Sequence, residues 1–276
     1  MEIIDAHTHT EFRSANDYWD MSLAGVKIVI DPSTFGGIKK TTEDLYYATF
    51  ERLLNFEVWR AKSNGVRLYA GVGVDPEDFT DLNIALKVIE EIPKRYFEHE
   101  NLCCLGEIGL DKGGRDEEIV FTKQLEIVGS YNIPAIIHTP QVNQSRIVDR
   151  IISIVDDYTK VYPHLKQYLL LDELLPEVLL EVNQTGFAYY GIPIGPYLNS
   201  PFIVHRKATG KALLNIIPHI DTKKVIVNSA LAWGYGDHLA LPKIKLYLEQ
   251  EKVECDIIED LFCNNAYKFY SKWKTL

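Results

Sequence analysis

Alternation dominates this chain. Eight short β-branched runs recur, seven of them leading into an amphipathic stretch of helical length, no Pro/Ser-rich linker separates the units, and no glycine-rich turn follows the first run. These observations predict an α/β chain folded as a (β/α)8 TIM-type barrel with an extra C-terminal helix. Strand–helix units in series give parallel strands with helices outside, and eight of them suit a closed barrel of ~250 residues. A single domain over residues 1–276 is expected. An open doubly wound sheet would carry glycines in its first turn, and Asp5–Glu11 has none.

The strands are expected at Ile3–Ala6, Val26–Ile30, Val66–Val74, Leu102–Gly106, Ala135–Ile137, Tyr168–Leu171, Phe187–Gly191 and Val225–Val227. The helices are expected at Thr42–Ser63, Leu82–Glu98, Asp116–Tyr131, Ser145–Tyr158, Leu174–Thr185, Pro201–Ile217 and Leu239–Glu251. Thr42 reads as an N-cap, Asn64-Gly65 as a left-handed stop, and Asn132 with Pro134 as the break between a helix and the next strand. A last helical stretch, Ile257–Trp273, is placed to close the barrel or cover one end.

Composition narrows the classes of function. Hydrophobic residues are 46% and charged residues 25%, the balance of a core-forming globular chain. No apolar run reaches the ~18 residues of a membrane span, and the start lacks a signal-peptide pattern, so no membrane partner is expected. Cys103, Cys104, Cys255 and Cys263 contain no C-x-x-C and read as reduced core thiols of a cytoplasmic protein. The 29 Lys and Arg against 39 Asp and Glu leave a net charge of −10, which disfavours nucleic acid as a partner without excluding a local basic groove.

The chemistry collects at strand ends. Asp5-Ala-His7-Thr-His9 closes the first strand, and residues two apart on a strand face the same way, so His7 and His9 converge as ligands for a divalent metal. Glu107 stands at the end of the fourth strand, where a carboxylate needs either a cation or a Lys or Arg partner. His138 ends the fifth. All three lie at the C-terminal ends of strands, the face on which barrels of this kind build active sites.

Asp5-Ala-His7-Thr-His9, Gly106-Glu107-Ile-Gly-Leu-Asp111 and Ile137-His138-Thr-Pro140 resemble successive motifs of the TatD-like metal-dependent hydrolases, in the amidohydrolase superfamily. Gly71-Val-Gly-Val-Asp75-Pro76 stands where that family often has Gly-Ile-His-Pro, and Ile226-Val-Asn228-Ser229 is similar to its strand-eight motif. A histidinol-phosphatase-like barrel also begins with H-x-H, but its later motifs are missing here. The resemblance implies one or two divalent ions (Zn, Mg or Mn), with His7 and His9 holding one, His138 the other and Glu107 bridging. It also implies hydrolysis of phosphodiester or related bonds by a metal-activated water, since the enzymes of the family are chiefly DNases.

Two positions depart from the family pattern. Glu173 takes the place of a strand-six histidine and is either a ligand or the acidic first turn of the next helix. Ala230 occupies the position of the family's catalytic aspartate, a methyl group that neither ligates nor accepts a proton; Asp237 is a weak substitute from the following loop. Asp75, Asn143 and Arg146 are candidates for substrate contact. Tyr189, Tyr190 and Tyr197 fit core or rim packing better than base stacking, and the remaining histidines, His205 among them, fit the surface. Two readings follow. One is a hydrolase of a small-molecule or nucleotide-type phosphoester; the other is a catalytically degenerate barrel that keeps a metal or ligand site and serves as a binding or scaffold protein.

Overall fold

A computed structural model of the chain describes residues 2–34, 36–195, 207–234 and 236–276. The β-branched runs form eight parallel strands: β1 (Ile3–Asp5), β2 (Val26–Asp31), β3 (Arg67–Val72), β4 (Leu102–Gly109), β5 (Ala135–His138), β6 (Leu169–Leu171), β7 (Tyr189–Pro193) and β8 (Val225–Asn228). Their order in the sheet is the order in the chain. The ring closes beyond the ends of β1 and β8, where Ala230 N–H donates to His7 O at 2.9 Å and His9 N–H to Leu231 O at 2.7 Å. The expected barrel is therefore the observed one, and its seam lies among the residues singled out for chemistry.

The helices pack outside. In chain order they are α1 (Ala15–Leu23), α2 (Glu43–Glu51), α3 (Val58–Lys62), α4 (Leu82–Tyr96), α5 (Arg115–Tyr131), α6 (Gln144–Thr159), α7 (Pro176–Val182), α8 (Gly210–Ile216), α9 (Ala240–Gln250), α10 (Cys255–Glu259) and α11 (Asn265–Tyr270). The first of them is absent from the sequence expectation; Ser14 and Asp17 make a reciprocal capping box that starts it. A π-helical stretch, Arg52–Glu57, interrupts the expected helix Thr42–Ser63. Residues 201–206 of the expected helix Pro201–Ile217 lie outside the described residues, as do Tyr197 and His205. The described part starts only at Gly210, where Thr209 accepts from Ala212 N–H as its cap.

Two apolar layers follow from strand alternation. Val29, Ile137, Leu171 and Val227 face the helices, while Ile28, Ile30, Ile136, Leu170 and Ile226 fill the barrel. Cys103 and Cys104 are buried with the inner cluster, as expected of core thiols, but Cys255 is exposed at the first position of α10. The C-terminal stretch covers one end: Phe269, Tyr270 and Leu276 join the inner cluster, and Tyr270 Oη donates to Ala6 O at 2.8 Å. Period two then aims the next inward position of three strands at the open mouth, namely His138 after Ile136, Asp172 after Leu170 and Asn228 after Ile226.

Candidate metal centre

Five of the expected ligands come together. His7 Nε2 lies 3.1 Å from His9 Nε2. Glu107 stands between the imidazoles, with Oε1 3.4 Å from His7 Nε2 and 3.6 Å from His138 Nδ1, and Oε2 3.6 Å from His9 Nε2. Glu173 Oε2 is 2.8 Å from His138 Nδ1. The donor atoms form two overlapping groups, His7/His9/Glu107 and Glu107/His138/Glu173, both buried and sharing Glu107. Glu173 lies ahead of α7, with φ +59°, so its alternative placement in the first helical turn is not what the fold shows.

Supporting polar residues fix these side chains. Asp172 Oδ2 lies 2.8 Å from His7 Nδ1, which turns Nε2 toward Glu107. Its Oδ1 accepts from Asn228 Nδ2 at 2.8 Å and from Glu173 N–H at 2.7 Å. Gln144 donates to Thr139 Oγ1, Pro140 O and Glu173 O, tying the loops after β5 and β6 together. Ser33 Oγ bonds Gly106 O at 2.9 Å, and Glu107 N–H donates to Ser33 O at 3.0 Å, which anchors the strand that carries Glu107.

Burial sets the electrostatics. Burial alone would lower His7, but Glu107 and Asp172 outweigh it and hold the imidazole up at about 10. His138 is likewise held well above the ordinary range, because Glu107 and Glu173 oppose the effect of burial. Glu107 itself is pushed up by burial. Without a cation, then, protons sit on groups that would otherwise be ligands.

The donor set fits a divalent ion. Buried imidazoles and carboxylates at these separations suit Zn²⁺ or Mn²⁺, and Glu107 Oε1 is buried without a hydrogen-bond partner among the described residues. Among the described residues Glu107 faces His7, His9 and His138 and forms no ion pair with a Lys or Arg.

The other expected residues divide. Asp75 lines the mouth together with His9, Glu107, His138, Glu173 and Ala230, held by Thr34 Oγ1 at 2.9 Å. Asn143 and Arg146 line an adjoining cavity of about 460 Å³ that reaches His138 and includes Lys112. Asp237 does not belong here. Its carboxylate pairs with Lys243 Nζ at 2.7 Å and accepts from Leu239 N–H, so the start of α9 uses it and the mouth does not. Tyr190 is buried and Tyr189 packs edge-on against Phe269, as expected of packing residues.

The sequence reading missed Asp172, Asn228 and Lys207 as working parts. The first two carry a signal in the inward period of β6 and β8. Lys207 carries none: it lies far from β8 in sequence, yet its Nζ donates to Ser229 O at 2.5 Å and Ala230 O at 3.0 Å. Burial lowers this amine to about 8.

Comparison with known proteins supplies the family. Residues 4–168 match the family model described as TatD related DNase. The chain is 30% identical over 273 residues to an uncharacterized metal-dependent hydrolase of Methanocaldococcus jannaschii, covering 97% of this chain and 99% of that one. Among solved structures it is similar to a TatD-like protein from Archaeoglobus fulgidus, with TM-score 0.76 and 22% identity over 97% of this chain and 99% of that one. The phosphotriesterase homology protein from Escherichia coli, solved with phosphate in its active site, shares the fold at TM-score 0.70 and 13% identity, with 98% of each chain covered. With the ligand-type residues gathered at the mouth and the family model spanning β1 to β5, this chain belongs to the TatD-related family of metal-dependent hydrolases.

Proposed function

We propose that this protein is a metal-dependent hydrolase of small phosphoesters or phosphodiesters. The observation that carries this reading is the sharing of Glu107 between two buried donor groups, His7/His9 on one side and His138/Glu173 on the other. A divalent cation held by these residues supplies charge stabilisation for a phosphoryl oxygen and acidifies a water. The rest falls to the chain's own residues. Asp172 keeps the His7 ring turned and its Nδ1 proton in place. Arg146, Lys112 and Asn143 line the cavity beside His138 and would receive the anionic remainder of the substrate. Asp75 makes the mouth acidic and opposes a long polyanion.

Ala230 favours the second reading, a barrel that binds metal without turnover. Its side chain lines the mouth and offers no proton acceptor. Hydrolysis of bis-(p-nitrophenyl) phosphate by the wild type and by Ala230→Asp, across Zn²⁺, Mn²⁺ and Mg²⁺, tests the point. A positioned general base is worth ~10²–10⁴ in rate, and a gain of that size in Ala230→Asp is expected over a slow wild type. A variant that binds metal and gains nothing with any ion would leave the binding-protein reading in possession.

A further inference from the structure

The two histidines of the H-x-H pair differ in one respect. His7 has both nitrogens engaged, whereas His9 Nδ1, on the side away from Glu107, is buried without a hydrogen-bond partner among the described residues. Two carboxylate oxygens face the same spot and are equally unpartnered, Asp31 Oδ1 and Glu11 Oε2. Asp31 Oδ1 lies 3.7 Å from His9 Nδ1, too far for a hydrogen bond. One ligand-type atom from each of His9, Glu11 and Asp31 lies within 4.8 Å of the others.

A supporting role for Asp31 alone, of the kind Asp172 plays for His7, does not account for Glu11. Asp31 is already held by its other oxygen, which accepts from Thr10 N–H at 2.8 Å and from the Thr10 hydroxyl, so Oδ1 is left aimed at the cluster. No Lys or Arg forms an ion pair with Glu11 or Asp31 among the described residues. Arg52 and Arg60 pair with Glu57, and Lys40 pairs with Asp78. Two adjacent buried carboxylates without a counterion are costly. A cavity of about 270 Å³, lined by Glu11, Lys40 and Arg52, opens beside Glu11.

We infer that His9 Nδ1, Glu11 and Asp31 form an additional divalent-cation site, of the Zn²⁺/Mn²⁺ class, behind the mouth. One imidazole nitrogen and two carboxylate oxygens are the donor set of that class. The outer position needs none of Glu107, His138 or Glu173. It shares only His9, whose neutral ring has a single lone pair to give; with both cations bound, Nδ1 would ligate the outer one and the inner one would keep His7 and Glu107.

Equilibrium dialysis of the full chain against Zn²⁺, with the bound metal counted by elemental analysis, separates the sites. Glu11→Gln/Asp31→Asn is expected to lose one equivalent and to keep those that Glu107→Gln loses. A double variant that retains every equivalent overturns the site. So does one that keeps the count and merely weakens the ions that depend on Glu107, which would make Asp31 a positioning residue for His9. Loss confined to Glu107→Gln would leave the proposed hydrolase standing without the outer site; loss confined to the double variant would do the reverse. Thermal unfolding guards against a folding artefact. In EDTA the double variant should melt no lower than the wild type, and its Zn²⁺-induced rise in Tm should be smaller. If the double variant does not fold, Glu11→Gln alone must show that smaller rise, and an unchanged rise would overturn the site.

Discussion

His7 is the residue on which acid–base behaviour turns. In the metal-free protein it is held at about 10 by Glu107 and Asp172 against the opposing effect of burial, so it carries a proton at neutral pH. Ligation requires the neutral ring, and a cation entering through Nε2 must displace that proton. The sign follows: affinity falls as pH falls below about 10, by ~10-fold per unit for each proton released. Zn²⁺ titration at pH 6, 7 and 8, in buffers of different ionisation enthalpy, should show both the slope and the released proton. An affinity independent of pH would contradict it. The gathering of His7, His9, Glu107 and His138 was legible in the sequence because each was placed at the C-terminal end of an expected strand, although β1 stops at Asp5 and β4 runs past Glu107 to Gly109. Asp172 was harder to read, since an aspartate after three leucines also resembles the start of a turn. Lys207 was not legible, because only the folded chain brings its amine to the carbonyls of Ser229 and Ala230, just after β8.

At the scale of elements, strand period and turn chemistry decided most boundaries, and tertiary contacts decided the rest. β4 runs on to Gly109 because its last residues are still paired with β5, through Ile137 and His138, a register invisible to composition. The expected helix Leu174–Thr185 shortens to α7 because Pro176 fixes its first turn and the preceding residues are spent on Glu173 and its supports. β7 supports the site by having no side chain at one position. A Cβ on Gly191 would stand 1.7 Å from Asp172 Oδ1 and 3.1 Å from Asp172 Cα. Gly191→Ala is therefore expected to push Asp172 off His7, costing ~1–3 kcal/mol in stability and ~10–100-fold in metal affinity. Denaturant unfolding and Zn²⁺ titration check the two effects; a variant with wild-type affinity would show that the Asp172–His7 contact does not tune the site.

For the molecule as a whole, the barrel joins its chemistry to its closure. The bonds that close the ring beyond β1 and β8 involve His7, His9, Ala230 and Leu231, so the histidine pair after β1 and Ala230 after β8 are fixed by one seam. The same scale governs substrate choice. A net charge of −10 and an acidic mouth containing Asp75 and Glu77 oppose a phosphate-rich chain. Degradation of single-stranded DNA at moderate salt should be weak or absent, and robust metal-dependent cleavage would contradict the preference for small phosphoesters. At the centre of the molecule, Glu107 is proposed to join the two donor groups into one metal centre. Calorimetric titration of the wild type and Glu107→Gln with Zn²⁺ and Mn²⁺ should show a strong heat for the wild type that the variant largely loses; equal heats for the two proteins would leave Glu107 without that role.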